Sequence, residues 1–163
     1  MTLVTSGRVS EADRRWLERA VALAWQARER GDHPFGALLV LPGGGLLEAL
    51  NSVVTGGDPT GHAETNLVRL AGKADRASLS GSVLYTSTEP CAMCAGAIYW
   101  SGIGRVVFAL SELSLRAIAS SQQGTPTMNL PCRTVFAAGR RATTVLGPAI
   151  ESEAATPHHG FWH

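Results

Sequence analysis

His62, Cys91 and Cys94 lie far apart along the chain, and any fold that uses them together has to bring two separate segments to one point. The segments are His62-Ala63-Glu64 and Pro90-Cys91-Ala92-Met93-Cys94, with Cys91 twenty-nine positions after His62. Imidazole and thiolate are both good zinc ligands, and three protein ligands leave a fourth tetrahedral position for water, as a closed structural site does not. Each segment also carries a helix-start signal. Asp58-Pro59-Thr60-Gly61 is a turn-forming run before the periodic stretch from His62 to Leu70. Thr88-Glu89-Pro90 precedes Cys91, with proline suited to the first turn of a helix. Two helices are therefore expected to start at the metal, their positive dipole ends favouring the thiolate forms of Cys91 and Cys94.

Glu64 is two residues beyond the ligand His62, too close in a helical turn to chelate beside it but able to touch whatever the metal binds. A zinc-bound water has its pKa lowered from about 16 to roughly 7, so a nucleophile is available at neutral pH. A carboxylate there can take a proton from the metal-bound water and return it to whatever is being attacked. Other readings of the cysteines fit less well. A structural zinc site would need a second Cys-x-x-Cys, which the sequence lacks, and a thiol redox pair has no use for His62 and Glu64.

The chain of 163 residues, 45% hydrophobic, suits one domain, with a core at about 10–147 and a C-terminal helix and tail at 148–163. Its formal charge of +1, with basic residues spread along the chain, gives no stripe for a polyanion, so nucleic acid is not an expected partner. Of three cysteines two belong to the motif, leaving Cys132 unpaired, which points to a reducing, cytoplasmic setting. Neither a signal peptide nor a membrane span is expected, because apolar runs end well short of the ~20 residues a spanning helix needs.

Ser10-Glu11-Ala12-Asp13 reads as a capping box, and Trp16, Leu17, Ala20, Val21 and Ala24 recur at helical spacing up to Gly31. Trp16 and Trp25 are read as packing aromatics on or beside that stripe. The runs 37–41 and 46–49, joined through Pro42-Gly43-Gly44-Gly45, predict an antiparallel hairpin. The stretches 82–86 and 105–109 predict parallel strands on either side of a helix over 91–101. Further helices are expected at 112–120 and 148–155, a polar, turn-rich stretch at 122–131, and a last strand at 143–146.

With these motifs in place, the chain resembles the cytidine deaminase-like superfamily, and within it the branch of guanine deaminases and tRNA adenosine deaminases. The resemblance runs from Glu11 to Ala109 through His33-Pro34-Phe35-Gly36-Ala37, Asn51, the His62 motif, Leu84-Tyr85-Thr86-Ser87, the cysteine motif and Gly96-Ala97-Ile98-Tyr99-Trp100. It implies an α/β fold of three layers, α/β/α, around a mixed five-stranded sheet, and a homodimer. It makes His62, Cys91 and Cys94 the ligands of one zinc ion per chain and Glu64 the proton shuttle. It also implies that Asn51 hydrogen-bonds the substrate ring, that the backbone N–H of Ala63 orients the substrate or the attacking oxygen, and that Phe35 and Trp100 line the base pocket.

Departures from the branch bear on the substrate. Where guanine deaminases carry a Gly-Phe-Asp-Asp type segment, this chain reads Ser111-Glu112-Leu113-Ser114, with Glu112 the one acid. Where tRNA-acting members end in a basic helix, it has Glu151, Glu153 and no lysine. The expected function is zinc-dependent hydrolytic deamination of a free nucleobase or nucleoside, of guanine or cytosine type, with release of ammonia. The alternatives are tRNA-specific adenosine deamination, which the charge disfavours, and a silent zinc-stabilised scaffold, which would not need Glu64. The tail Thr156 to His163, rich in histidine and aromatics, is expected either to close over the pocket or to fray.

Overall fold

The computed structural model describes residues 7–119 and 127–162. Its order is α1 (Glu11–Glu29), β1 (Gly36–Val40), β2 (Leu46–Leu50), α2 (Ala63–Ala71), α3 (Arg76–Ser80), β3 (Val83–Thr88), α4 (Ala92–Ser101), β4 (Arg105–Leu110), α5 (Glu112–Ala119), α6 (Cys132–Ala137), β5 (Thr144–Leu146) and α7 (Glu151–Ala155), then a 3-10 turn at Thr156–His158. The strands form one sheet in the order β2-β1-β3-β4-β5. β1 pairs antiparallel with β2 and β3, whereas β3, β4 and β5 run parallel.

Because successive strand residues face opposite sides, an apolar strand can feed two cores at once. Ala37, Leu39, Leu84, Val106, Phe108 and Val145 pack on one face against Ala63 and Leu67 of α2, Ala95 and Ile98 of α4 and Phe136 of α6. Their neighbours Leu38, Tyr85, Val107, Ala109 and Leu146 pack on the other against Leu17, Ala20 and Val21 of α1 and Ala154 of α7. This is the three-layer, mixed five-stranded fold the resemblance implies.

α1 starts as its capping box predicts: Ser10 Oγ accepts from the Asp13 N–H, while Asp13 Oδ2 accepts from the Ser10 N–H. Asp13 also accepts from Tyr85 Oη at 2.8 Å and from Arg105 Nη2 at 2.9 Å, fastening the helix start to β3 and β4. Near its other end α1 passes so close to β1 that a Cβ on Gly36 would lie 2.4 Å from Leu23 Cβ and 2.6 Å from the Ala24 nitrogen. Only glycine permits that approach. Trp16 packs against Tyr85 as a core aromatic, but Trp25 is 38% exposed beneath the Arg28 guanidinium.

Two short helices lie outside the sequence expectations: α3, capped by Asp75, and α6, whose first N–H is held by Glu89. The terminal helix begins at Glu151 instead of 148, because Ile150 sits in the left-handed region with φ 49° and cannot be part of a right-handed turn. The helix expected to end at Ser120 is described to Ala119, and residues 122–126 of the polar stretch lie outside the described residues. No helix among the described residues is long and apolar enough to cross a membrane.

Candidate zinc centre

The site lies where α2 and α4 begin, beyond the carboxyl end of β3. His62 is the N-cap of α2 and Cys91 the N-cap of α4, both in extended backbone conformation. Ser, Thr, Asp and Asn favour that position because their side chains cap the first N–H groups. His62 and Cys91 make no such cap and turn instead toward each other. His62 Nδ1 lies 3.5 Å from Cys91 Sγ and 3.6 Å from Cys94 Sγ, and the three donor atoms are all within 4.8 Å of one another. Two ligands at zinc–nitrogen and zinc–sulfur bond lengths, separated by a tetrahedral angle, stand about 3.6 Å apart. Both imidazole–sulfur separations match that spacing, so the set fits a zinc ion.

Electrostatics favour the same ion. The Cys91 thiol is pushed down to about 4, first by the Cys94 thiol directed at it and then by His62 and the Cys94 N–H, against the cost of burial. Cys94, sharing that proton and fully buried, is pushed up. A cation supplies the charge that lets both sulfurs ionise. Thr65 Oγ1, 3.3 Å from Cys94 Sγ, supports the second sulfur.

Glu64, the second residue of α2, is 5% exposed and accepts a hydrogen bond at Oε1 from Thr86 Oγ1 at 2.6 Å. Burial raises its pKa above the usual carboxylate range, and the Cys91 charge adds to that, while Thr86 and His62 oppose it. Ala63, buried between His62 and Glu64, is the first residue of the helix, so its N–H has no partner within α2. Asn51 follows β2 and is tied in from several sides. Its N–H donates to Phe35 O, its Oδ1 accepts from Val53 N, and its carbonyl accepts from Arg30 Nη2. Its Nδ2 is buried and finds no hydrogen-bond partner among the described residues. With Oδ1 already engaged, Nδ2 is a fixed donor in want of an acceptor.

Not every predicted residue meets this cluster. Phe35 does, through its backbone bond to Asn51 and its packing on the core beneath α2 and α4. Trp100 does not. It closes the far end of α4 from Cys91, is 83% exposed, and stands edge-on to Tyr99 beside a surface groove lined by Arg76 and Arg141.

Several supports have no mark in the sequence. Asn66, one turn after His62, donates from Nδ2 to Leu50 O and Ser52 Oγ, locking the Asn51 segment to α2. Asp32 accepts from Val54 N, Thr55 N and Thr55 Oγ1 and holds the following loop. Glu89 accepts from Glu112 N and Cys132 N, anchoring the starts of α5 and α6 next to Cys91. Burial, then the charges of Glu89 and Cys91, push the Glu112 carboxyl up to about 7, partly offset by Arg116. Thr86 stood in the quoted string Leu84-Tyr85-Thr86-Ser87 as a buried strand residue, and only its hydroxyl contact gives it a role.

An imidazole and two sulfurs around one open corner, on a mixed sheet of this order, define the class of zinc-dependent deaminases. The chain belongs to the family described as the cytidine and deoxycytidylate deaminase zinc-binding region, which matches residues 10–110. Over 159 residues, 98% of each chain, it is 42% identical to a probable cytosine deaminase of Schizosaccharomyces pombe. It is 46% identical over 96 residues, 58% of this chain and 62% of the relative, to a guanine deaminase of Bacillus subtilis. The solved guanine deaminase of Nitrosomonas europaea superposes with a TM-score of 0.70 at 27% identity, covering 93% of this chain and 85% of that one.

Proposed function

We propose that the protein is a single-domain, cytoplasmic enzyme that hydrolytically deaminates a free nucleobase, with a cytosine-type ring as the first candidate. The observation that carries this reading is the buried Glu64 carboxyl, one residue beyond Ala63 in α2 and within the electrostatic reach of the His62, Cys91 and Cys94 cluster. Similarity to the probable cytosine deaminase of Schizosaccharomyces pombe along nearly the whole chain supports the choice of ring. The described part of the tail packs against Phe35 and His33, which favours a small free base over a nucleoside or a tRNA loop. Free thiols at Cys91, Cys94 and Cys132 agree with a reducing compartment.

Zinc, when held by His62, Cys91 and Cys94, supplies hydroxide at neutral pH by lowering the pKa of a water to roughly 7. Glu64 moves the protons. Thr86 fixes its Oε1, so Oε2 is the oxygen that takes the first water proton and hands it to the ring nitrogen beside the amine, then takes the proton of the new hydroxyl on the attacked carbon as the carbonyl forms and delivers it to the departing nitrogen, which leaves as ammonia. Asn51 Nδ2 donates to the ring and holds it in plane, the Ala63 N–H orients the oxygen at the reacting carbon, and the Phe35 ring offers a flat apolar wall.

The test is ammonia release from cytosine, guanine, isoguanine, adenine, triazines and their nucleosides, with Glu64→Ala as control. Wild-type protein is expected to release ammonia from a free base. The variant should keep one zinc per chain and lose about 10²- to 10⁴-fold in kcat, the usual worth of a positioned acid–base group. Undiminished turnover in the variant would exclude the role of Glu64.

We further propose a homodimer formed through the outer face of α4. Met93, Gly96, Ala97 and Trp100 recur there at helical spacing, Met93 and Trp100 are exposed, and a Cβ on Gly96 would meet nothing within 4 Å.

A further inference from the structure

The orientation of one amide decides what the site offers a ring. Turned one way, Asn51 presents Nδ2–H; turned the other, it presents Oδ1, and the two bind opposite partners. Three consecutive peptide groups choose between them. The Val53 N–H donates to Asn51 Oδ1 at 3.0 Å, and the next two, of Val54 and Thr55, donate to Asp32 Oδ1 at 3.0 and 2.9 Å. A flipped Asn51 amide would set Nδ2 against the Val53 N–H, donor against donor. The orientation observed leaves Nδ2 buried and unpaired, one of two such side-chain atoms among the described residues.

Asp32 holds that turn from just beyond the end of α1. Its own N–H donates to Ala27 O at 2.9 Å, its side chain is fully buried, and its Oδ2 accepts from Thr55 Oγ1 and Arg30 Nε, both at 2.8 Å. Arg30 then reaches past it, donating from Nη2 to Asn51 O at 2.7 Å. The bonds close a ring: Asn51 carbonyl to Arg30, Arg30 to Asp32, Asp32 to Val54 and Thr55, and Val53 back to the Asn51 amide. Burial pushes the Asp32 carboxyl up, but Thr55 and then Arg30 outweigh it and keep it below the usual carboxylate range. Asp32 is therefore a charged acceptor, which holds N–H donors about twice as strongly as a neutral one. The segment is also tied to the metal-binding helix, for the Ser52 N–H donates to Gly61 O at 2.8 Å and sets the residue after Asn51 beside the residue before His62.

We infer that Asp32 is a positioning residue: by fixing the turn from Val53 to Thr55 it sets the amide orientation of Asn51, so that the site meets the ring with a donor. It acts through Asn51 and not on the reacting atoms. The ring then has to bring an acceptor, a carbonyl oxygen or an unprotonated nitrogen, to that place. This inference rests on the deaminase reading above, in which Asn51 binds the substrate ring.

The experiment measures kcat/KM on the full chain loaded with zinc, for cytosine, or for guanine if the purine is the better substrate. Each change at Asp32 is made alone and together with Asn51→Ala. Asn51→Ala by itself should lower kcat/KM about tenfold, the worth of one hydrogen bond in a buried site. Asp32→Ala should approach that loss, whereas Asp32→Asn, which keeps Oδ1 for the Val54 and Thr55 N–H groups, should retain most of the wild-type value. In the Asn51→Ala background neither change should cost anything further, because the group through which they act has gone. Asp32→Ala strands buried donors and can unfold the loop, so Arg30→Leu is made in parallel. The Arg30 side chain is 43% exposed, and its loss should lower kcat/KM about threefold, as fits a part-exposed ion pair, again only where Asn51 is present. All variants that fold should hold one zinc per chain. A merely structural Asp32 would lower kcat/KM by the same factor in both backgrounds. That result, or no loss at all, in Asp32→Ala or Arg30→Leu, whichever keeps its zinc, overturns the inference while the deaminase reading stands. If wild type releases ammonia from neither cytosine nor guanine, both fall.

Discussion

Thr86 has one hydroxyl proton and two acceptors within reach, Glu64 Oε1 at 2.6 Å and Thr88 O at 3.0 Å. The hydroxyl donates to Glu64 Oε1 in both states, more strongly when Glu64 is ionised than when its Oε2 carries a proton. The residue thus serves both states of the shuttle with no unpaired group. Thr86→Val removes a bond that is stronger to the ionised state than to the neutral one. The Glu64 pKa is already raised by burial and held back by this bond, so the substitution raises it further. Losing a hydrogen bond to a charged group costs about 1.5–3 kcal/mol, or one to two pKa units. The acid limb of kcat/KM against pH should move upward by that amount, with a tenfold or greater loss at neutral pH, and Thr86→Ser should restore both. A limb that stays in place in Thr86→Val, measured with zinc content unchanged, contradicts this assignment.

The tail shows what one segment owes to another. Thr156 to Trp162 contributes few buried apolar groups of its own, and its order comes from Arg28, 129 residues away from Pro157 in the chain, and from the rings of His33 and Phe35. Deleting the chain from Thr156 onward should leave the sheet and the zinc cluster folded but raise KM for the base about tenfold or more, since the rings packed on His33 and Phe35 go with it. Steady-state kinetics decide it: unchanged kcat and KM would show that the segment does not act at the site. The same dependence on distant contacts explains what the sequence did and did not disclose. His62, Cys91 and Cys94 were legible because ligand chemistry fixes residue type, and the parallel β3–α4–β4 unit was legible because its apolar runs are long. α3 and α6 were not, being only five and six residues long and so too short for a helical period to stand out. Asn66, Asp32 and Arg28 were not either, because an asparagine, an aspartate or an arginine acquires a role only from the backbone groups that the fold sets before it. The resemblance places Trp100 in the pocket, yet α4 carries it nine residues along from its N-cap Cys91, to the outer surface.

At the scale of the whole molecule, α4 has to satisfy two surfaces. Its inner side delivers Cys94, Ala95 and Ile98 to the zinc cluster and the core, while its outer side leaves Met93 and a Trp100 that is 83% exposed. Large exposed aromatics aligned with other apolar groups on one helix face mark association surfaces, and tryptophan is among the residues that dominate binding energy at such places. A second copy offering the same face would bury both tryptophans about a two-fold axis, with the open surface at Gly96 letting the helices approach closely. Light scattering coupled to size exclusion should give twice the 17.1 kDa chain mass for the wild type. Trp100→Glu places a charge at the centre of the patch, where truncating an anchor costs about 2 kcal/mol or more, and should shift the protein toward the single-chain mass at micromolar concentration. Zinc content should stay at one per chain in both, because His62, Cys91 and Cys94 all come from one chain. A wild type that runs as a single chain at these concentrations would rule out the dimer and leave the exposed Trp100 face to some other partner.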